Sequence, residues 1–226
     1  MKKSIKNVII ITSISVAAAF LIGCGIAGNM SSERDSEKTT PAEFKLGETE
    51  GKIAILVHQP GWIKTPMDLR IILTAAINES LKTKEKAEID AERLIEYKNV
   101  LEARMALPED KRDEPNAIAA KLGAKYVLDI QIVDFELSTF AEKNFFNGVM
   151  VTKACLLDAN GIKLWPEEKD PRLSKTEIED DKGTIQSSIA KLSAATAHCV
   201  TRYFYNCKTA NFRVVEENKE LDNYDF

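Results

Sequence analysis

The chain has 226 residues, 44% hydrophobic and 29% charged, the composition of an ordinary globular protein with one large domain or two small ones. Ten Gly and seven Pro exclude a low-complexity or collagen-like chain, and a formal charge of -4 offers no basic field to collect nucleic acid. These totals treat as one object a chain whose first residues are of a different kind.

Lys2, Lys3 and Lys6 form a cationic start, and Val8 to Ile22 is a run of fifteen residues without charge. That is the length of a signal-peptide core and short for a membrane span. The run ends in Leu21-Ile22-Gly23-Cys24, which resembles the lipobox of bacterial lipoproteins. The resemblance implies that residues 1–23 are removed and that Cys24 carries lipid and becomes the new first residue. Diacylglyceryl and acyl chains at roughly 0.8 kcal/mol per methylene anchor a protein without spanning the bilayer. Gly25 stands where an Asp would retain a lipoprotein in the inner membrane, so the resemblance favours the outer membrane. The part called the tether, residues 24–46, contains Gly28–Glu43, rich in Ser, Thr and charge. Such a stretch buries too little surface to offset its ordering entropy, and sixteen residues of it reach roughly 20 to 25 Å.

The folded part is expected over 47–215. Lys52–His58 is an apolar run ahead of the Gln59-Pro60-Gly61 turn and predicts a strand covered on both faces. Thr65, Pro66 and Asp68 carry the signals of a helix start, followed by a stripe of Leu69, Ile72, Leu73, Ala76, Ile77 and Leu81. A second amphipathic helix is expected from Ile89 to Ala106, with Leu94, Ile95, Leu101 and Met105 inward and Arg93 and Arg104 in solvent. Asp113 and Pro115 open a short helix, Ala117–Leu122, with Gly123 as its terminator. Tyr126–Leu137 alternates as a strand, but its phase changes after Ile132, which a bulge near Val133 reconciles. Asn147–Leu157 and Ile162–Trp165 read as a hairpin closed by Asp158-Ala159-Asn160-Gly161. A polar excursion, Glu167–Lys182, precedes a long helix from Thr184 to Tyr205 with the stripe Ile185, Ile189, Leu192, Thr196, Cys199 and Tyr203. Residues 216–226 hold five acids and one Lys, an acidic tail. Interspersed helices and a hairpin predict an α/β (α+β) domain: a mixed, partly antiparallel sheet with helices packed on it.

The order of elements, with Leu122-Gly123-Ala124 leading into the strand Tyr126–Ile130 and the Asp158 to Trp165 hairpin, is similar to the periplasmic modules of the TolB amino-terminal, LpoB and CsgG type. The Leu94 to Tyr97 and Leu164-Trp165-Pro166 segments also resemble bacterial envelope lipoproteins of no known activity. The resemblance implies a non-enzymatic partner in the envelope: an activator, a complex component or a pore subunit. No free pair of long amphipathic strands is present to enter a membrane, which disfavours the pore.

No catalytic, cofactor-binding or metal-ligating set is assigned, since only His58 and His198 occur and no HExxH, CxxC, Walker or GxGxxG spacing is found. A surface or capping role is the plain reading of both histidines. Asp134 and Glu136, about 7 Å apart on one strand face, with Asp129 nearby, are a spacing that paired carboxylates use in hydrolysis. A solvated sheet face has the same pattern. Trp62, Phe145 and Phe146 are the aromatics best placed for a partner patch. With Cys24 taken by lipid, Cys155, Cys199 and Cys207 remain; a Cys199–Cys207 disulfide requires the last helix to end by Tyr205, and Cys155 is expected to be buried. The functional expectation is a lipid-anchored, non-catalytic binding or assembly protein of the envelope, with a protein partner and a homo-oligomer as options. The alternatives are an envelope-polymer hydrolase and a structural subunit. Removal of residues 1–23 leaves 28 basic and 35 acidic residues, net -7, which strengthens the exclusion of nucleic acid.

Overall fold

The computed structural model describes residues 39–82, 89–140 and 145–208. The fold is carried by one compact unit, Pro41–Cys207; a second unit, Met1–Thr40 with Lys208–Phe226, contributes only three described residues. Cys24 and the acidic segment lie outside the described residues.

A five-stranded mixed sheet is the centre. β1 (Ile53–His58) lies parallel to β2 (Tyr126–Phe140), which forms a long antiparallel hairpin with β3 (Phe145–Asp158). The free side of β3 pairs with β4 (Lys163–Trp165) near one end and with β5 (Arg172–Asp180) along the rest. The helices are α1 (Leu69–Lys82), α2 (Tyr97–Met105), α3 (Pro115–Leu122) and α4 (Ile185–Thr201). α2 and α3 bury Val100, Ala103, Ile118 and Ala119 on the sheet face carrying Ala54, Leu56 and Val127. α1 and α4 pack on each other and on the opposite face, where Leu69, Leu73, Ile77, Leu81, Ile189 and Leu192 are fully buried. β1 therefore has helices on both sides, which explains its continuous apolar run.

The β2 register slips between Ile132 and Asp134, so Val133 is the extra residue of a bulge, at the position the change of phase predicts. The Asn160-Gly161 turn and the Gly123 cap form as read: Gly161 and Gly123 have φ of 83° and 62°. Asp158 Oδ1 accepts from the N–H groups of Asn160 and Ile162 and fixes the turn.

Five expectations are corrected. α1 starts at Leu69, because the Asp68 carboxylate accepts the Arg70 N–H while the Thr65 hydroxyl turns aside to donate to the Met67 carbonyl. The single helix over 89–106 is broken: Ala91–Arg93 is one 3-10 turn, and Leu94-Ile95 is extended, with the Ile95 N–H bonded to the Ile53 carbonyl. Val100 and Ala103 face inward instead of Met105, which is 62% exposed. Arg93 is half-buried and donates to the Gly51 carbonyl and Thr49 Oγ1. The polar excursion contains β5, whose inward residues Ser174 and Thr176 are hydroxylic and conceal the alternation.

The tether reading extends to residue 46, but the chain is already fixed from Glu43. The N–H groups of Glu43 and Phe44 donate to the Tyr203 carbonyl, and the buried Trp165 indole N–H donates to Glu43 Oε2 at 2.8 Å. Arg172 bonds the same carboxylate oxygen at 3.0 Å and lies 5.0 Å from the Tyr203 ring.

α4 is locked at its start. Thr184 Oγ1 accepts the Ser187 N–H, the Thr184 N–H donates to Ser187 Oγ, and the buried Asp180 carboxylate accepts from Ser188 Oγ and Lys191 Nζ at 2.9 and 2.7 Å. The bonds from Lys191 and Ser188 hold the Asp180 carboxyl below its ordinary range. A group lowered in the folded state stabilises above the ordinary carboxylate pKa and loses that contribution as pH falls through the native value. Asp180→Asn should therefore lower the melting temperature at pH 7 and reduce its drop between pH 5 and 2, measured by circular dichroism. A Cβ at Gly183 would fall 2.0 Å from Asp180 Oδ2, so Gly183→Ala should cost about 1 to 3 kcal/mol in urea unfolding.

Candidate functional site

Parallel pairing of β1 with β2 brings together residues far apart in sequence. His58 lies two residues beyond buried Leu56 on the α2/α3 face, at the carboxyl end of β1, and Asp129 is two beyond Val127 on the same face. His58 Nε2 is 2.7 Å from Asp129 Oδ1, and its Nδ1 is 3.7 Å from Asp113 Oδ1, at the approach to α3. Asp113 also pairs with Arg104 of α2, whose side chain is mostly buried. Beside this group, Arg70 binds Asp68 through two nitrogens, Nε to Oδ1 at 2.9 Å and Nη2 to Oδ2 at 2.6 Å. The Arg70 hydrogen bonds lower the Asp68 carboxyl, and Asp68 in turn raises Arg70. Tyr97, at the start of α2, is raised by burial and by the charge of Asp68.

These side chains border the loop between β1 and α1. Gln59, Ile63, Lys64, Thr65, Asp68 and Arg70 line an open depression of about 400 Å3. Within the same loop Trp62 is 64% exposed. A second depression of about 330 Å3 has Lys64 and Glu136 at its rim and Phe135, Leu137, Ile185 and Ile189 as its apolar lining.

Sequence reasoning missed this cluster. Arg104 reads as solvated and His58 as a surface residue, and His58 and Asp129 are 71 positions apart with no local motif between them. Only the parallel register reveals their contact.

The residues singled out from sequence are placed as follows. Trp62 is on the β1–α1 loop, whereas Phe145 and Phe146 belong to strand β3 and not to a loop; Phe146 is buried, and Phe145 is half-buried. Asp134 and Glu136 share the solvated sheet face beyond α2 and α3, where Asp134 Oδ1 accepts the Phe135 N–H and Glu136 accepts from Ser138 Oγ. Cys199 is a buried free thiol whose Sγ accepts from Thr176 Oγ1 at 3.3 Å, so the Cys199–Cys207 bond is not formed. The helical part ends at Phe204, as that bond would require, but Cys199 is turned to Thr176 of β5 while Cys207 begins a short strand. Cys207 is buried, as is Cys155. His198 Nδ1 is 3.1 Å from the Tyr205 hydroxyl.

Cys155 stands directly opposite Asp129 across the hairpin, and His58, one step diagonal on β1, reaches the same carboxylate. Burial and the Asp129 charge push the thiol up to about 11, the opposite of nucleophile activation. Among the described residues no group of three or more His, Cys, Asp and Glu is arranged to hold a metal ion, and no helix is long and apolar enough to cross a membrane.

The fold is thus that of a mixed α/β domain. No family model matches the chain, and no curated protein does. Among solved structures, it is similar to lipoprotein GNA1162 from Neisseria meningitidis, at 15% identity over 67% of this chain and 98% of that one, with a TM-score of 0.40. A PelC dodecamer from Paraburkholderia phytofirmans is 13% identical over 73% and 97%, with a TM-score of 0.41. Protein XCC0632 from Xanthomonas campestris is 10% identical over 82% and 93%, with a TM-score of 0.39.

At pH 8 a thiol near 11 is about a hundredfold less ionised than one of ordinary pKa near 9. Native Cys155 should be alkylated by iodoacetamide at least that much more slowly than in urea, and Asp129→Asn should raise the native rate, both followed by peptide mass spectrometry.

Proposed function

We propose that the chain is a lipid-anchored protein on the periplasmic side of the bacterial envelope, in the outer membrane, whose α/β domain is a non-catalytic binding or assembly component. One observation carries the reading: a cationic start, a fifteen-residue uncharged run and Leu21-Ile22-Gly23-Cys24 follow one another in the order that lipid attachment requires. Cys24 bears the lipid, the residues after it form the tether, and residues 216–226 form an acidic tail. The resemblance to the TolB amino-terminal, LpoB and CsgG modules points to a protein partner.

The charged cluster agrees with recognition more than with group transfer. Its two arginines are each matched to an acid, His58 contacts Asp129, the adjacent thiol is suppressed, and an exposed Trp stands in the loop above, a residue type that anchors protein contacts. Of the carboxylates proposed for hydrolysis, Glu136 borders the depression lined by Phe135, Leu137 and Ile189, but Asp134 does not, so the two acids do not share one cleft.

In cells fed labelled palmitate, the wild-type chain should incorporate label and fractionate with the outer membrane. Cys24→Ala should lose the label and retain the 23-residue leader by intact-mass measurement; incorporation that survives this change would refute the anchor. A photo-crosslinker at position 62 should capture one envelope protein in cells, and Trp62→Ala should abolish function without shifting the melting temperature.

A further inference from the structure

β5 is an edge strand. It pairs only with β3, and among the described residues no backbone bond outside that ladder reaches 173–179. Nine residues of open edge are a template for another strand. Edge strands are commonly guarded by charge, and β5 carries Lys175, Glu177 and Glu179 on its solvated face. Their arrangement is more specific than a guard requires.

The strand reads Arg-Leu-Ser-Lys-Thr-Glu-Ile-Glu-Asp, with the cations before Thr176 and the acids after it. When two copies run antiparallel with Thr176 opposite Thr176, Lys175 of each faces Glu177 of the other. Leu173 then faces Glu179, and Ser174 faces Ile178. A shift of two residues toward the acidic end keeps Lys175 opposite an acid, Glu179, but places Glu177 on Glu177; a shift the other way places Lys175 on Lys175, and an in-register parallel pairing places like on like throughout, so of these arrangements the Thr176 register alone has no like-charge pair. Like charges directly opposite destabilise a strand pair, so one register is selected. In the single copy Lys175 Nζ is 2.7 Å from Glu177 Oε1 on the same strand face, so both groups already stand where a partner copy would meet them.

The layer above the edge also accommodates a second copy. α4 packs over both β5 and β3. Lys191 reaches down to Asp180 of β5, which marks the side of α4 turned toward the open edge. Ala194 and Ala195, three and four residues on, follow on or beside that side, and neither is buried. With strands about 4.8 Å apart, a helix centred over the β3–β5 ladder would lie about 10 Å from its symmetry mate, the spacing of packed helices, and alanines leave room for it.

We propose that β5 is a homodimer interface: two copies join antiparallel about a two-fold axis at Thr176 and fuse their sheets into one ten-stranded sheet, with α4 packed beside its mate. The interface is isologous, as a two-fold requires. It uses no residue of the His58 cluster and does not depend on lipid at Cys24.

The test is sedimentation of the full chain in detergent, corrected for bound detergent. Wild type should be a dimer at micromolar concentration. Lys175→Glu, which faces acid with acid at both ends of the interface, should weaken association about tenfold or more. The double change Lys175→Glu with Glu177→Lys restores opposite charges in the same register and should restore the dimer. Unchanged far-UV circular dichroism will show that these exposed substitutions leave the fold intact. As an independent measurement, coexpressed Lys175→Cys and Glu177→Cys chains should crosslink to each other more than either does to itself. A wild-type monomer at all concentrations, a dimer indifferent to Lys175→Glu, or no rescue by the double change would overturn the proposal and leave the charges as guards of a free edge.

Discussion

The bulge at Val133 is the constraint on which the sheet depends. Strict alternation from Leu128, Ile130 and Ile132 would carry Asp134 and Glu136 onto the face packed by α1 and α4, and would turn Phe135 and Leu137 to water. Burying an unpaired carboxylate costs several kcal/mol, whereas a disturbed ladder step costs about one. The extra residue is the cheaper solution. It returns Phe135 and Leu137 to the helix-covered face, opposite Met150 and Gly148. One strand can then lie in the buried parallel half of the sheet and extend into its antiparallel half.

The same sheet face consequently has two environments. Near β1 it is roofed by α2 and α3; further along β2, β3 and β5 it meets solvent. Asp129 stands at the border, 2.7 Å from His58 at the end of β1. The carboxylates show how position rather than residue type decides the role. Asp68 is held by an arginine fork, Asp129 by His58, and Asp180 by a lysine and a hydroxyl at a helix start. Among the described residues, Asp134 and Glu136 bond to near neighbours in sequence, Phe135 and Ser138. Two of the acids that drew notice in the sequence by their spacing are the ones with the least structure around them.

What was legible in the sequence follows from range. The bulge, the Gly123 cap, the Asn160-Gly161 turn and the apolar stripe of α4 are local patterns, and each is where the pattern puts it, except that Ile185, the first residue of α4, is 42% exposed. The start of α1 was missed by a few residues, because Thr65 and Asp68 compete for the same role and only the side-chain bonds decide between them. The break at Leu94-Ile95 depends on one bond to Ile53, 42 residues earlier, and no periodicity records it. β5 was hidden because its inward positions are Ser and Thr, which read as solvent-facing. The His58 cluster is non-local altogether.

Those inward hydroxyls are a consequence of how closely α4 approaches the sheet. At Gly148 an added Cβ would meet Leu192 and Ile178 at 3.2 Å, so even a methyl group there would require those side chains to give by a few tenths of an ångström. Thr152, Thr176, Ser193 and Thr196 fill the remaining space with small groups, and Thr176 and Thr196 find acceptors in Cys199 and the Leu192 carbonyl. Thr152 Oγ1 and Ser193 Oγ find none among the described residues. Each unmet hydroxyl costs about 1 to 3 kcal/mol, a penalty that close packing of fully buried Leu192 and Met150 must exceed. The α4–sheet contact therefore stands on shape and dispersion rather than on large apolar area. That dependence suits the electrostatic tie of Asp180 with Lys191 and Ser188, which sits at the end where the helix begins and sets the depth at which it lies.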